Sequence, residues 1–388
     1  MNQPIPFSRQ YAERLGNFVR MSKAAGSRSD YVQGGGGNTS CKVDDRLMAI
    51  KASGYRLDQI AADQAYAVLD YRALRQFYGS TDPAGLDDIE GAGSARAKEA
   101  TRTLEGLPVL RPSVEAGFHS LLDTYVLHTH AVYANLATCS AEGRAVAAAA
   151  LMDLSVGHVF VPYINPGAQL TFAVLQGIKE KKKETGESPR LLFMQNHGLI
   201  VTGPDADECL ALHDQVNERL AAAYGVSAAD WPAIAVKAVS DIDEAAEQNG
   251  QTDQLWQSDT AWLRARLTEQ GWNLDDLTKN ALFPDQLVYL GGKVAVAERG
   301  SLAEALREEA AGGRILPGTC TLFRQTGEVL YRCGRNEAQT IEETLCAVLF
   351  VTGTIRKAGR TVVTMSEAGR QFISNWESEH YRSQITAR

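Results

Sequence analysis

His128 and His130 stand one residue apart, directly after the apolar pair Val126-Leu127. On an extended strand, side chains two positions apart leave the same face, so both imidazoles aim at one point. A third ligand from elsewhere would complete a three-ligand set with one position open for water or substrate, as in catalytic rather than structural zinc sites. His197 is the candidate. It follows the apolar run Leu191-Leu192-Phe193-Met194 and precedes Gly198, where a strand end turns into a loop. The alternative is a His-x-His pair that falls on a strand by chance. Glu115 adds a carboxylate upstream and also has two readings. Pro112-Ser113-Val114-Glu115 opens a helix in which Glu115 is a capping acid. Alternatively, Glu115 takes a proton from the carbon next to a metal-held carbonyl. His119, one turn later, adds weight to the second reading.

A run of four glycines leads into Gly37-Asn38-Thr39-Ser40. It is not a dinucleotide fingerprint, because it follows a helix and precedes a hairpin instead of joining a strand to a helix. Such a loop can turn backbone N–H groups toward an anion, and Asn38, Thr39 and Ser40 add side-chain donors. Ser53-Gly54 and Ser113 are two further short donor loops. Either the three converge on one phosphate or they are unrelated turns.

These residues need elements to position them. The spacing of Tyr11, Leu15, Phe18 and Val19 predicts a helix over 8–25. A hairpin follows, with strands at 41–43 and 47–52. Residues 55–107 read as helix and loop. A helix from Pro112 to Leu122 then precedes strands at 126–130, 157–161, 191–194 and 199–203. Helices are expected from 132, over 144–153 and 170–183, and over 205–223 with Asp205 as N-cap. Residues 227–232 read as a boundary. Beyond it the pattern predicts helices 253–270, 301–311, 337–357 and 366–382, and strands 287–290, 294–296, 319–323 and 329–332. This divides the chain into residues 1–230 and a C-terminal α/β region, 231–388.

The 388 residues are long enough for two cores, and their composition is that of an ordinary soluble protein. The net charge of −8 leaves no basic surplus for neutralising phosphates, which argues against a nucleic-acid partner. Lys179 to Lys183 is interrupted by glutamate and reads as a solvated helix end. Met1 to Arg20 lacks the apolar stretch of a signal peptide, and no run is long enough to span a membrane. The six scattered cysteines form no Cys-x-x-Cys and read as reduced thiols, Cys139 and Cys209 as buried packing residues. Together these features predict a cytoplasmic protein with no membrane partner.

Taken in order, Gly37-Asn38-Thr39-Ser40, Lys51-Ala52-Ser53-Gly54, Arg111-Pro112-Ser113-Val114-Glu115, His128-Thr129-His130 and Asn196-His197-Gly198-Leu199-Ile200 resemble the motifs of the class II aldolase/adducin family. That family includes fuculose-phosphate and rhamnulose-phosphate aldolases and ribulose-phosphate 4-epimerase. The resemblance covers residues 8–225. In length, the chain is also similar to the aldolase part of long rhamnulose-phosphate aldolase/dehydrogenases, but residues 231–388 hold no strand–GxGxxG–helix unit.

The resemblance implies a three-layer α/β/α domain around a mainly antiparallel sheet, with a smaller C-terminal α/β region. It implies Zn2+, or another divalent transition metal, on His128, His130 and His197, with Glu115 as acid/base. Gly37, Asn38, Ser53, Gly54 and Ser113 would hold the substrate phosphate. The implied reaction is retro-aldol cleavage of a ketose 1-phosphate to dihydroxyacetone phosphate and an aldehyde through a metal-stabilised enediolate. A homo-oligomer is expected, the tetramer being common among relatives.

Two departures from the family pattern matter. Val114 stands where these aldolases often carry a second serine. The tyrosine that serves the leaving aldehyde has no clear counterpart, Tyr163 and Tyr133 being the candidates. Three other functions compete. A 4-epimerase would carry aspartate at Glu115. A metal-dependent decarboxylase of a 3-oxo-acid phosphate would leave much the same residues. A non-catalytic adducin-like binding module would keep the fold but lose the ligands. His158, His213 and His380 read as structural or surface residues.

Overall fold

The computed structural model describes residues 6–239, 255–269, 271–312 and 318–376. A seven-stranded sheet is formed by β1 (Asn38–Lys42), β2 (Leu47–Lys51), β3 (Tyr66–Asp70), β4 (Tyr125–Thr129), β5 (His158–Val161), β6 (Leu191–Met194) and β7 (Gly198–Gly203). Its order is β3-β2-β1-β4-β7-β6-β5. Every pairing is antiparallel except β5 with β6.

Alternation along the strands makes two apolar faces. Leu127, Phe193, Leu199 and Val201 face the helices Ala12–Gly26, Val132–Thr138 and Ala206–Ala223. On the other face, Val126, Leu192 and Ile200 meet Phe118 of Ala116–Leu121 and Leu170 and Val174 of Ala168–Thr185. Met48, Ile50 and Leu69 on that same side meet Leu74 of Tyr71–Ser80. The result is the three-layer α/β/α arrangement that the resemblance implies. Asp205 caps its helix as expected, accepting from the N–H groups of Asp207 and Glu208.

A second, five-stranded sheet contains β8 (Val236–Ala238), β9 (Trp256–Ser258), β10 (Val294–Ala297), β11 (Cys320–Phe323) and β12 (Val329–Tyr331), in the order β10-β11-β12-β9-β8. The 23-residue helix Arg335–Lys357 joins it to the first layer system. Its Phe350 packs edge-on against Tyr133, with centroids 6.1 Å apart. One apolar cluster runs without a break from Phe18 and Leu127 to Leu322, Tyr331 and Leu345.

Several elements differ from expectation. Residues 66–70 form strand β3 inside the stretch read as helix and loop. The predicted helix 253–270 contains β9, and among its described residues only Ala261–Thr268 is helical. Leu287–Leu290, predicted as a strand, belongs to the helix Pro284–Leu290. A short buried apolar run has no period that tells strand from helix, and Pro284 at the first helical position decides the outcome. The C-terminal helix is Glu367–Asn375, with Trp376 extended after it, and the rest of the helix predicted to residue 382, with His380, lies outside the described residues. Among the described residues, no helix is long and apolar enough to cross a membrane.

Candidate metal and substrate site

The sheet register builds the site. Asn38 on β1 pairs with His128 on β4, and Thr129 on β4 pairs with Leu199 on β7. His130 leaves the end of β4, and His197 sits in the tight connection from β6 to β7. Met194 pairs with Gly198 there, and Asn196 adopts a left-handed backbone with φ +53°. The three imidazoles therefore converge from two adjacent strands, with one ring nitrogen of each lying within 4.8 Å of the others. His128 Nε2 and His130 Nε2 are 3.2 Å apart. All three rings are buried.

Outer contacts set the direction of two of the rings. His128 Nδ1 lies 3.0 Å from the Leu199 carbonyl oxygen. A carbonyl can only accept, so Nδ1 carries the proton and the Nε2 lone pair faces inward. His130 Nδ1 lies 2.5 Å from Asp285 Oδ2, which leaves its Nε2 facing the same centre. Glu115 approaches from the opposite wall. Its Oε2 is 3.6 Å from His128 Nε2 and its Oε1 is 3.2 Å from His197 Nε2. Three inward nitrogens, with a buried carboxylate beside them, fit a divalent metal ion that prefers nitrogen and oxygen ligands.

Burial alone would raise the pKa of Glu115. The imidazoles, His128 foremost, outweigh it and hold the carboxyl well below its usual range. Burial in turn pushes His128 well below the ordinary histidine value.

A polar chain orients Glu115. His119 Nε2 donates to Asn38 Oδ1, so its Nδ1 accepts from Ser40 Oγ at 2.7 Å. This fixes the Asn38 amide with Nδ2 turned toward Glu115 Oε2 and toward Ser113 Oγ, the latter at 3.1 Å. His119 is fully buried, and burial, with some help from Lys42, lowers its pKa to about 3.

Gly37, Asn38, Ser53, Gly54 and Ser113 line one cavity together with Glu115, His130 and His197. The three donor loops thus meet in space. The glycine run itself offers less than its sequence suggests. The N–H groups of Gly34, Gly35 and Gly36 donate to Glu343 Oε2, Tyr289 Oη and the Gln33 carbonyl. The N–H of Ser53 donates to the Arg111 carbonyl.

Two residues of the site were not anticipated. Lys51, at the end of β2, is buried and lines the cavity, its ammonium donating to the carbonyls of Gly35 (2.8 Å) and Tyr55 (2.7 Å). A lone lysine closing an apolar strand next to Ser53-Gly54 was the available signal. Asp285, two residues ahead of the stretch Leu287–Leu290 read as a strand, was passed over, although Phe-Pro-Asp is a usual opening for a helix.

The two candidate tyrosines lie elsewhere. Tyr133 donates to Asp30 within the core, and Tyr163 packs by Gly369 with its hydroxyl 3.4 Å from Asn165 Oδ1. Among the described residues, no tyrosine lines the cavity. His213 lies behind β4 with Nε2 2.7 Å from Thr129 Oγ1, a structural position.

Comparison with the curated proteins yields no match. Among solved structures, the chain is similar to the N-terminal class II aldolase domain of a conserved protein from Thermoplasma acidophilum. The identity is 22%, over 57% of this chain and 95% of that one, with a TM-score of 0.44. It is also similar to a sugar-phosphate aldolase from Thermotoga maritima (12%, 55% and 94%, TM-score 0.38). A third is L-fuculose-1-phosphate aldolase from Thermus thermophilus (12%, 54% and 93%, TM-score 0.33). The family described as Class II Aldolase and Adducin N-terminal domain matches residues 17–224, more than half of the chain, and the protein belongs to that family.

Proposed function

We propose that the protein is a metal-dependent class II aldolase that cleaves a ketose 1-phosphate to dihydroxyacetone phosphate and an aldehyde. The observation that carries this reading is the convergence of His128, His130 and His197 beside the buried Glu115 carboxylate, in a cavity walled by three donor loops. The three histidines would hold the metal, zinc by their donor type, whose positive charge stabilises negative charge developing on substrate oxygens.

The remaining roles belong to the chain's own residues. Glu115 moves the proton at the carbon next to the carbonyl. Asn38, held by His119, keeps Glu115 aimed at that carbon. Ser53, Gly54, Ser113 and Gly37 position the phosphate, with Lys51 supplying positive charge, so that binding energy is spent far from the breaking bond.

One observation favours a second reading. With no tyrosine on the cavity wall among the described residues, nothing of that kind serves the oxygen of a departing aldehyde. Loss of carbon dioxide from a 3-oxo-acid phosphate needs no such group.

Elemental analysis of wild type and His128→Ala, with a panel of ketose 1-phosphates and a 3-oxo-acid phosphate as substrates, tests both readings. The aldolase reading expects about one zinc per chain, lost in the variant together with formation of dihydroxyacetone phosphate. Bound zinc with carbon dioxide released from an oxo-acid phosphate, and no aldehyde, would transfer the assignment to a decarboxylase. A wild type that takes up no metal would leave an adducin-like binding module.

A further inference from the structure

The helix Pro284–Leu290 lies outside the segment that matches the family, yet it reaches the histidine cluster. Asp285, in its first turn, is fully buried, and its Oδ2 lies 2.5 Å from His130 Nδ1. The opposite wall leaves room for this pair only because residue 36 is glycine. A Cβ there would overlap Asp285 Oδ2 and lie 2.9 Å from His130 Nδ1.

The C-terminal region grips the neighbouring loops as well. Tyr289 and Glu343 take the N–H groups of Gly35 and Gly34. Asn196, directly before His197, donates through Nδ2 to the carbonyls of Leu282 at 2.9 Å and Val363 at 2.8 Å. The glycine loop and the loop that carries His197 are thus both tied by residues of the C-terminal region.

We propose that Asp285 is a positioning residue for the metal site: its carboxylate accepts the Nδ1 proton of His130, locks the ring with Nε2 toward the other two imidazoles, and makes that nitrogen a better metal ligand. The proposal rests on the reading of His128, His130 and His197 as metal ligands. A carboxylate on the outer nitrogen of a ligating histidine fixes its tautomer and raises its basicity, and its loss typically weakens metal binding about 10- to 100-fold. Here that carboxylate is supplied by the C-terminal region, which gives this region a task at the site.

The test measures zinc affinity by competition with a chromogenic chelator, and the visible absorption of the cobalt-substituted protein. The full-length wild type, Asp285→Asn and Asp285→Ala are compared, with circular dichroism of each apo-protein as the folding control. Asp285→Ala is expected to lower zinc affinity by roughly 10- to 100-fold and to alter the cobalt bands, with Asp285→Asn in between because an amide oxygen still accepts the proton but carries no charge. Should the alanine variant fail to fold, Asp285→Asn carries the test alone. A folded Asp285→Asn with wild-type zinc affinity and an unchanged cobalt spectrum overturns the proposal and leaves the metal reading standing. A wild type that binds neither metal overturns the metal reading, and the proposal with it.

Discussion

His119 shows how far a single residue's surroundings can carry an argument. It does not itself line the cavity, yet it decides which way the amide of Asn38, which does, points. Its pKa in the folded chain is about 3, against an ordinary 6.5. Between those values the unfolded chain binds a proton that the folded chain refuses. The group's contribution to stability is therefore complete above pH 6.5 and is lost as the pH falls toward 3. His119→Gln should flatten that part of the stability profile, measured as urea midpoints across a pH series. At neutral pH it should cost about 1–3 kcal/mol, for buried partners left unmatched. An unchanged slope would mean that the acid sensitivity lies in other groups. The sequence offered His119 only as a companion of Glu115, because the partners that give it a role, Ser40 and Asn38, come from a strand some eighty positions away.

At the scale of elements, Gly198 opens β7 where it crosses β4. A Cβ there would overlap the Thr129 carbonyl oxygen, which is backbone and cannot swing aside. Gly198→Ala should therefore push the two strands apart and cost about 1–3 kcal/mol. It should also displace His197, so chelator competition ought to show weaker zinc binding alongside a lower melting temperature. Unchanged zinc affinity would place His197 outside the ligand set. Most of the first sheet was legible because its strands are bounded by turn residues and its helices by caps such as Asp205. What escaped were segments without a period. Tyr66–Asp70 is buried along its whole length, and Leu287–Leu290 is an apolar run too short to declare itself. The second of these concealed Asp285. An error in one element thus kept Asp285 out of view, while His128 and His130 were marked by their shared strand and His197 by the end of another.

For the whole molecule, the boundary near residue 230 separates the two sheets but not two cores. The apolar cluster beneath β4 continues into β11, β12 and the helix Arg335–Lys357. A chain ending at residue 230 would expose that face, leave the N–H groups of Gly34 and Gly35 without Glu343 and Tyr289, and remove Asp285 from His130. It should show no cooperative thermal transition and no tight zinc binding. A truncated chain that melts cooperatively and holds zinc would show the C-terminal region to be dispensable. This dependence could not be read from the sequence, where the two halves share no motif and meet only in the folded chain, through packing and the hydrogen bonds of Glu343, Tyr289 and Asp285. The strand order has one more consequence. β4 is the middle strand of seven, with three on either side. Backbone amides in such a position exchange their protons with solvent only when the whole sheet opens, whereas side chains at the strand's end need no such opening to meet a solute. Removal of the proposed ion and unfolding of the chain should therefore be separate events: a chelator that empties the histidine cluster should leave the amides of Leu127 and His128 among the slowest in the protein to take up deuterium.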